Sequence, residues 1–293
     1  MKDLGPKVTQ LSGREILVTD EDRAKAFWLI QKYTSVGYLR RMFSLYANFV
    51  AGYEDFARRE AERVVFHRDS LTSFYDYQAS LRDGIDLLER GYKTGYSPVF
   101  DGCFFSEALN GRRFEFGFEN EEIGFRARAP HVGLYAWAEV AIHMSVKVRR
   151  TLRAQWAFPR ILDPAFVTFP FPAPLPPAPA PQGAVVSTGK EIPKSGIWQP
   201  TTTPASSPQY LWAGLSAPRG TRPTERLDYP DDPGGYGDDS TPAYTDYEYA
   251  AEPAEWRLLW EDHRYEGGHI PDESEYLDPS TEPPPWPPLV PLP

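Results

Sequence analysis

Proline fixes φ and carries no amide donor, so a proline-dense stretch can neither continue a helix nor sit inside a sheet ladder. In this chain of 293 residues, five of the 31 prolines fall in residues 1–165 and 26 in residues 166–293. The first part is therefore free to form long helices; the second is not. Charge divides at the same place. Residues 1–165 carry 24 Lys and Arg against 22 Asp and Glu, and residues 166–293 carry 7 against 19. The formal charge of −10 thus describes neither part. An acidic excess leaves no surplus of cations to neutralise phosphates, which argues against a nucleic-acid partner. The single cysteine, Cys103, rules out an internal disulfide framework and reads as a small buried hydrophobe. Met1 to Asp22 lacks the apolar core of a targeting segment, and no run of 18 apolar residues occurs. A cytoplasmic location with no membrane partner is expected.

The first part reads as helices. Thr19 and Asp20 precede an acidic turn, the pattern of an N-cap with anions at the positive end of the helix dipole. Ala26, Phe27, Ile30 and Tyr33 then recur at helical spacing, and after Gly37 the stripe resumes as Met42, Leu45, Phe49, Tyr53 and Phe56. Leu71, Phe74, Gln78, Leu81, Ile85 and Leu88 define a third stretch, which Gly91 ends as a C-cap. A fourth begins after Pro130 with Leu134, Trp137, Ala141, Met144 and Val148. Four such stretches predict an antiparallel bundle. Between them, Phe114, Phe116 and Phe118, then Ile123, Phe125 and Ala127, alternate with period two and predict a small β-hairpin insertion.

The second part begins with P-A-F-V-T-F-P-F-P-A-P-L-P-P-A-P-A-P at 164–181, a polyproline II spacer whose Phe166, Phe169 and Phe171 are apolar enough to lie on the bundle surface. Glycine turn signals follow, with tryptophans and tyrosines scattered among them. Disordered segments are poor in aromatics, so an ordered region is expected. W-R-L-L-W at 256–260 alternates as a strand does. The fold expectation is therefore mainly α: a helical bundle over 1–163 with the hairpin insertion, a proline-rich linker over 164–182, an acidic irregular region with short strands over 183–278, and a proline-rich tail over 279–293.

Catalytic patterns are scarce. Gly183 to Lys190 has five residues between its glycines and a glutamate after the lysine, so it fails the phosphate-loop spacing. Glu139 and His143 stand one helical turn apart without a third ligand nearby, and Asp262, His263 and His269 flank a glycine pair. Ser195 lacks a nucleophile elbow. No cofactor, metal or catalytic residue is expected. Interaction signals are stronger. Residues 225–249 interleave acids with tyrosines: Asp231, Asp232, Tyr236, Asp238, Asp239, Tyr244, Asp246, Tyr247, Glu248 and Tyr249. Tyrosine supplies apolar area and one hydrogen-bonding handle, and acids steer a basic partner towards it. A solvated acidic loop would give the same composition.

Three runs carry a resemblance: T-G-K-E-I-P-K-S-G-I-W-Q-P at 188–200, Q-Y-L-W-A-G-L-S-A-P at 209–218, and E-W-R-L-L-W-E-D-H-R-Y-E-G-G-H-I-P-D-E at 255–273. Together they resemble a bacterial polymorphic-toxin immunity family with a helical N-terminal region. The resemblance covers 160–275 most closely and the helical part in outline. It implies a protein that binds and inhibits a cognate toxin, delivered by a type VI or contact-dependent route. Ser195, Gly196, Ile197, Trp198, Pro200, Trp256, Trp260 and Arg264 would then build the fold, and the acidic tyrosine run would face a basic groove on the toxin. Two other readings stand beside it. One is an enzyme that reverses toxin damage through Glu139, His143 or Asp262. The other is a scaffold that uses the polyproline segment at 170–181.

Overall fold

A computed structural model describes residues 6–12, 14–59, 68–111, 129–164, 166–167, 170–201, 205–230 and 243–277. The chain groups into two compact units, each discontinuous. A sheet unit takes Met1–Ile30 and Ala154–Asp262; a helical unit takes Gln31–Arg153 and His263–Pro293. Helix α1 (Asp20–Tyr33) begins in the first and ends in the second. Its start is a reciprocal cap: the Thr19 hydroxyl accepts the Asp22 amide at 3.1 Å, and the Asp22 carboxylate accepts the Thr19 amide at 2.9 Å.

The helical unit holds α2 (Val36–Arg59), α3 (Arg68–Glu89), α4 (Tyr96–Gly102), α5 (Phe105–Gly111) and α6 (Ala129–Leu152). On α2 the buried positions Leu39, Met42, Leu45, Tyr46, Phe49, Val50 and Tyr53 step by threes and fours, so one face meets α3 and α6. Tyr46 stacks on Phe105 at 4.0 Å between centroids, and Phe74 meets Tyr46, Phe49 and Tyr53 edge-on. Cys103 is buried beside Met42, and burial pushes its thiol pKa up. Helix α3 ends as its glycine requires. Gly91 takes φ +88°, its amide donates to the Leu88 carbonyl, and the Tyr92 amide reaches back to Leu87. Gly84 marks a close crossing. A Cβ there would lie 2.6 Å from the Gly95 carbonyl oxygen and 2.7 Å from the Val99 amide.

The N-terminus of α2 is closed by residues far along the chain. Ser35 is its N-cap, and the Ser35 hydroxyl accepts the Tyr38 amide at 3.2 Å. The Val36 amide donates to the Tyr265 hydroxyl at 2.8 Å, and the Gly37 amide to the Glu273 carboxylate at 2.6 Å. The Tyr265 hydroxyl in turn donates to Glu273. Tyr265 and Glu273 are 1% and 6% exposed, so water cannot replace them as partners. Arg264 continues this dock, donating to the Gln31 carbonyl at 3.0 Å and the Thr34 hydroxyl at 2.9 Å.

The sheet unit corrects the mainly α expectation. Among the described residues, β1 (Lys7–Gln10), β5 (Gly220–Tyr229) and β6 (Tyr244–Glu252) form one antiparallel sheet in the order β1-β5-β6. A second antiparallel sheet of β2 (Gln182–Ser187), β3 (Gly196–Pro200), β4 (Gln209–Leu211) and β7 (Glu255–Glu261) has the order β2-β7-β3-β4. The region after the linker supplies six of the seven described strands, β2 to β7, so it is built of paired strands where an irregular region was expected. Its core is Val186, Ile192, Trp198, Leu211, Trp256 and Leu258. Phe171 lies edge-on to Trp28 at 5.6 Å, and Phe166 edge-on to Trp156 at 5.5 Å. The hairpin predicted over Gly111 to Ala129 falls almost wholly outside the described residues, as does the proline-rich tail.

Two substitutions test this packing. Tyr265→Phe strands the buried Val36 amide and should cost about 1–3 kcal/mol of unfolding free energy, read from urea curves. Gly84→Ala should cost about 1–3 kcal/mol by forcing α3 off the Gly95 backbone. Wild-type midpoints in both would remove the two contacts from the account.

Candidate functional site

β6 carries the described end of the acidic tyrosine run. It pairs along its length with β5, from Tyr244 opposite Tyr229 to Glu252 opposite Gly220, with a bulge between Pro223 and Glu225. That bulge is how a proline is tolerated in the middle strand of this sheet, and β1 reaches only as far as Glu225. β6 is an edge strand, and an open edge invites unwanted pairing.

One arginine closes part of that edge. Arg160 Nη2 lies 2.7 Å from Asp246 Oδ1 and donates to the Tyr247 carbonyl at 3.3 Å. The Tyr247 amide donates to the same Asp246 oxygen at 2.7 Å. Both outward backbone groups of Tyr247 are thus occupied by side chains. The guanidinium also sits 4.8 Å from the Tyr249 ring centre, a cation–π contact. The Tyr249 hydroxyl is buried, and burial raises its pKa to about 12. Tyr244 stacks on Tyr229 at 4.5 Å and stays half exposed, as Glu248 is exposed. Beside this end of β6 opens a cleft of about 640 Å³, walled by Ile16–Val18 and Asp22, by Phe158–Arg160 and Leu162–Pro164, and by Tyr244–Tyr247.

The site residues expected from sequence divide accordingly. Tyr244, Asp246, Tyr247, Glu248 and Tyr249 share one strand, whereas Asp231, Asp232, Tyr236, Asp238 and Asp239 lie outside the described residues. Asp246 has an internal cation, so its charge is partly spent. Arg160 was not foreseen; nothing in its local sequence sets it apart, because its partners lie more than 80 residues away.

Two of the three resemblance runs, at 188–200 and 255–273, are neighbours in space. β3 and β7 pair antiparallel, with Ile197 opposite Trp260, Trp198 opposite Leu258 and Pro200 opposite Trp256. Gly196 lets the strands close, since a Cβ there would collide with the Trp260 carbonyl. The Ser195 hydroxyl accepts the Ala213 amide at 2.9 Å. The indole of Trp198 donates to the Lys194 carbonyl and that of Trp256 to the Pro218 carbonyl. Arg264 belongs to the helical unit, in the dock at α2.

Glu139 and His143 form an exposed intrahelical pair at 4.0 Å. Asp262 is buried in the sheet unit and accepts the Tyr210 hydroxyl at 2.7 Å. His263 contacts Glu266 at 2.8 Å. Gly183 to Lys190 forms most of β2 and the turn after it, not a strand-to-helix loop. Among the described residues, no group of three His, Cys, Asp or Glu could hold a metal ion, and no helix is long and apolar enough to cross a membrane.

Residues 17–157, just under half of the chain, match the family model Imm71, Immunity protein 71. The match supports an immunity-protein family for this chain, in line with the resemblance drawn from the motifs. It falls on the helical part and the start of α1, and leaves the C-terminal motifs untouched. No curated protein and no solved structure matches the chain.

Lys147 on α6 lies inside the matched span. It is 5% exposed, and burial lowers its amine pKa to about 8. Below pH 8 both folded and unfolded chains carry the proton, so the full desolvation cost is present. Between pH 8 and about 10.5 only the unfolded chain keeps it, and stability rises with pH. Lys147→Met should therefore be more stable than wild type at pH 7, by roughly 1–3 kcal/mol, with the gap shrinking towards pH 10. A gap that stays constant over this range would contradict the burial of the charged amine.

Proposed function

We propose that this protein is an immunity protein that binds a cognate bacterial toxin and neutralises it by covering the toxin's active site. The family match over residues 17–157 carries the reading. The uneven charge gives it a direction. The part after residue 165 has 7 Lys and Arg against 19 Asp and Glu, which suits a toxin with a basic groove, such as one that acts on nucleic acids or nucleotides. The protein acts by contact and not by catalysis, within the cell that makes it, in competition mediated by type VI or contact-dependent delivery.

The acidic tyrosine run is the proposed contact surface. Its described half supplies rigid aromatic area on β6, held by the Arg160 pair, and Asp231, Asp232, Asp238 and Asp239 supply charge. Asp246 is assigned a positioning task because its carboxylate is bound to Arg160.

Co-expression with the toxin encoded beside it tests the reading. Cells should survive, and the two chains should elute together on size exclusion. Survival lost and no complex formed would end it. Reversing Asp238 and Asp239 to lysine should slow association about tenfold at low salt, an effect that fades at high salt. An on-rate unchanged at low salt would remove electrostatic steering by this segment.

A further inference from the structure

Two arginines of the helical unit lie against one aromatic pair. Phe100, on α4, and Phe104, in the link to α5, meet edge to face at 5.2 Å between ring centres. The Arg149 guanidinium sits 4.3 Å from the centre of Phe104, and that of Arg153 sits 4.7 Å from Phe100 and 5.5 Å from Phe104. Positions 149 and 153 are one helical turn apart at the end of α6, where the Arg153 amide still bonds the Arg149 carbonyl at 2.9 Å, so both side chains leave on the same face. The two cations differ in what answers them. Arg149 pairs with Glu107. Arg153 is exposed, and among the described residues no carboxylate or carbonyl accepts its guanidinium donors. Asp101 follows Phe100 on α4 and is exposed, yet forms no ion pair with Arg153.

We infer that Arg153, held by Phe100 and Phe104, is a receptor for one carboxylate, an aspartate or glutamate side chain on a protein partner. A guanidinium over aromatic rings keeps its N–H donors in its own plane, where they fit the two oxygens of a carboxylate. The rings also fix its rotamer in advance, so little ordering entropy is left to lose when the acceptor arrives. Arg90 shows the contrast: it is an exposed arginine after α3 that lies over no ring. A polyanion such as a nucleic acid would need several cations in a row, whereas here the second guanidinium is already paired with Glu107 and the chain as a whole carries −10. All of these residues lie within 17–157, the span that matches the immunity-protein family. The partner is taken to be the cognate toxin, so the site rests on the immunity reading; its sign is opposite to that of the acidic tyrosine run, and it belongs to the other unit.

Substitutions at position 153 test charge and shape separately, and its exposure lets most side chains fold there. The full chain, as wild type or carrying Arg153→Ala, Arg153→Lys or Arg90→Ala, is titrated with a catalytically inactivated form of the toxin encoded beside it. Urea curves confirm that each variant is folded. Arg153→Ala should weaken binding about tenfold. Arg153→Lys keeps the charge but loses the planar fork, and should bind about threefold more weakly than wild type. Arg90→Ala removes an equal charge that no ring holds, and should bind as wild type does. Wild-type affinity in Arg153→Ala would overturn the receptor while leaving the immunity reading intact. Wild-type affinity in Arg153→Lys would reduce the site to a point charge and overturn paired recognition of a carboxylate. An equal loss in Arg90→Ala would assign the effect to overall charge and overturn the site. Loss of the Arg153 effect after phosphatase treatment of the toxin would make the acceptor a phosphate and overturn the carboxylate. Failure of the wild-type chain to bind the toxin would remove the immunity reading as well.

Discussion

The first turn of α2 has amide donors that no residue of that helix can satisfy, and the helical unit is arranged around their need for partners. Ser35 supplies one acceptor locally. Tyr265 and Glu273 supply the next two from more than 220 residues away. The carboxylate also lies where the helix dipole favours an anion, so one group meets a hydrogen-bonding and an electrostatic demand together. Holding it there requires a constrained chain. Tyr265 takes a left-handed backbone, φ +68°, and Gly91 leaves room for its carbonyl at the end of α3. Lys93 then bonds the Arg264 carbonyl at 2.7 Å and lies over the Tyr265 ring at 5.0 Å. A short C-terminal stretch thereby ties the start of α2 to the end of α3.

The sheet unit meets a different constraint. Its strands are short and many prolines separate them, so propensity alone would not hold them. Burial of large aromatics at strand crossings does. Trp198 and Trp256 fill the same core, and each sends its indole proton to a backbone carbonyl, Lys194 and Pro218 respectively. The extended segment after α6 fastens by the same means, Phe171 on Trp28 and Phe166 on Trp156. Gln209 also couples that segment's start to β4, accepting the Trp156 amide at 3.2 Å and donating to the Trp156 carbonyl.

Helices were legible because their signals are local. Thr19 with Asp22, the stripe on α2, and Gly91 after α3 each lie within a few residues of what they determine. The sheets were not, because their signals are distant or disguised. β1 pairs with residues 225–228, and nothing in K-V-T-Q announces that partner. β5 contains Pro223, which reads as a strand breaker until the bulge that accommodates it is seen. α4 and α5 are seven residues each, too short to show a period. The same contrast holds for the candidate site. Tyrosines on β6 stood out by composition, whereas Arg160, which organises them, is one unremarkable cation whose importance lies in three distant contacts. The Trp198 and Trp256 motifs were visible as motifs, but their being adjacent strands was not.

The dock on α2 also sets an order in time. Val36 and Gly37 leave the ribosome before their acceptors Tyr265 and Glu273, which come 229 and 236 residues later. At synthesis rates of about 5–20 residues per second, that interval is roughly 11–47 s. Through it, the α2 terminus must rely on water or a chaperone for its hydrogen bonds. The sheet unit waits likewise, since β7 lies between β2 and β3 and is the last strand made. A chain cut short anywhere before Glu273 therefore lacks part of its helical unit, and one cut before Glu255 lacks the centre of a sheet as well.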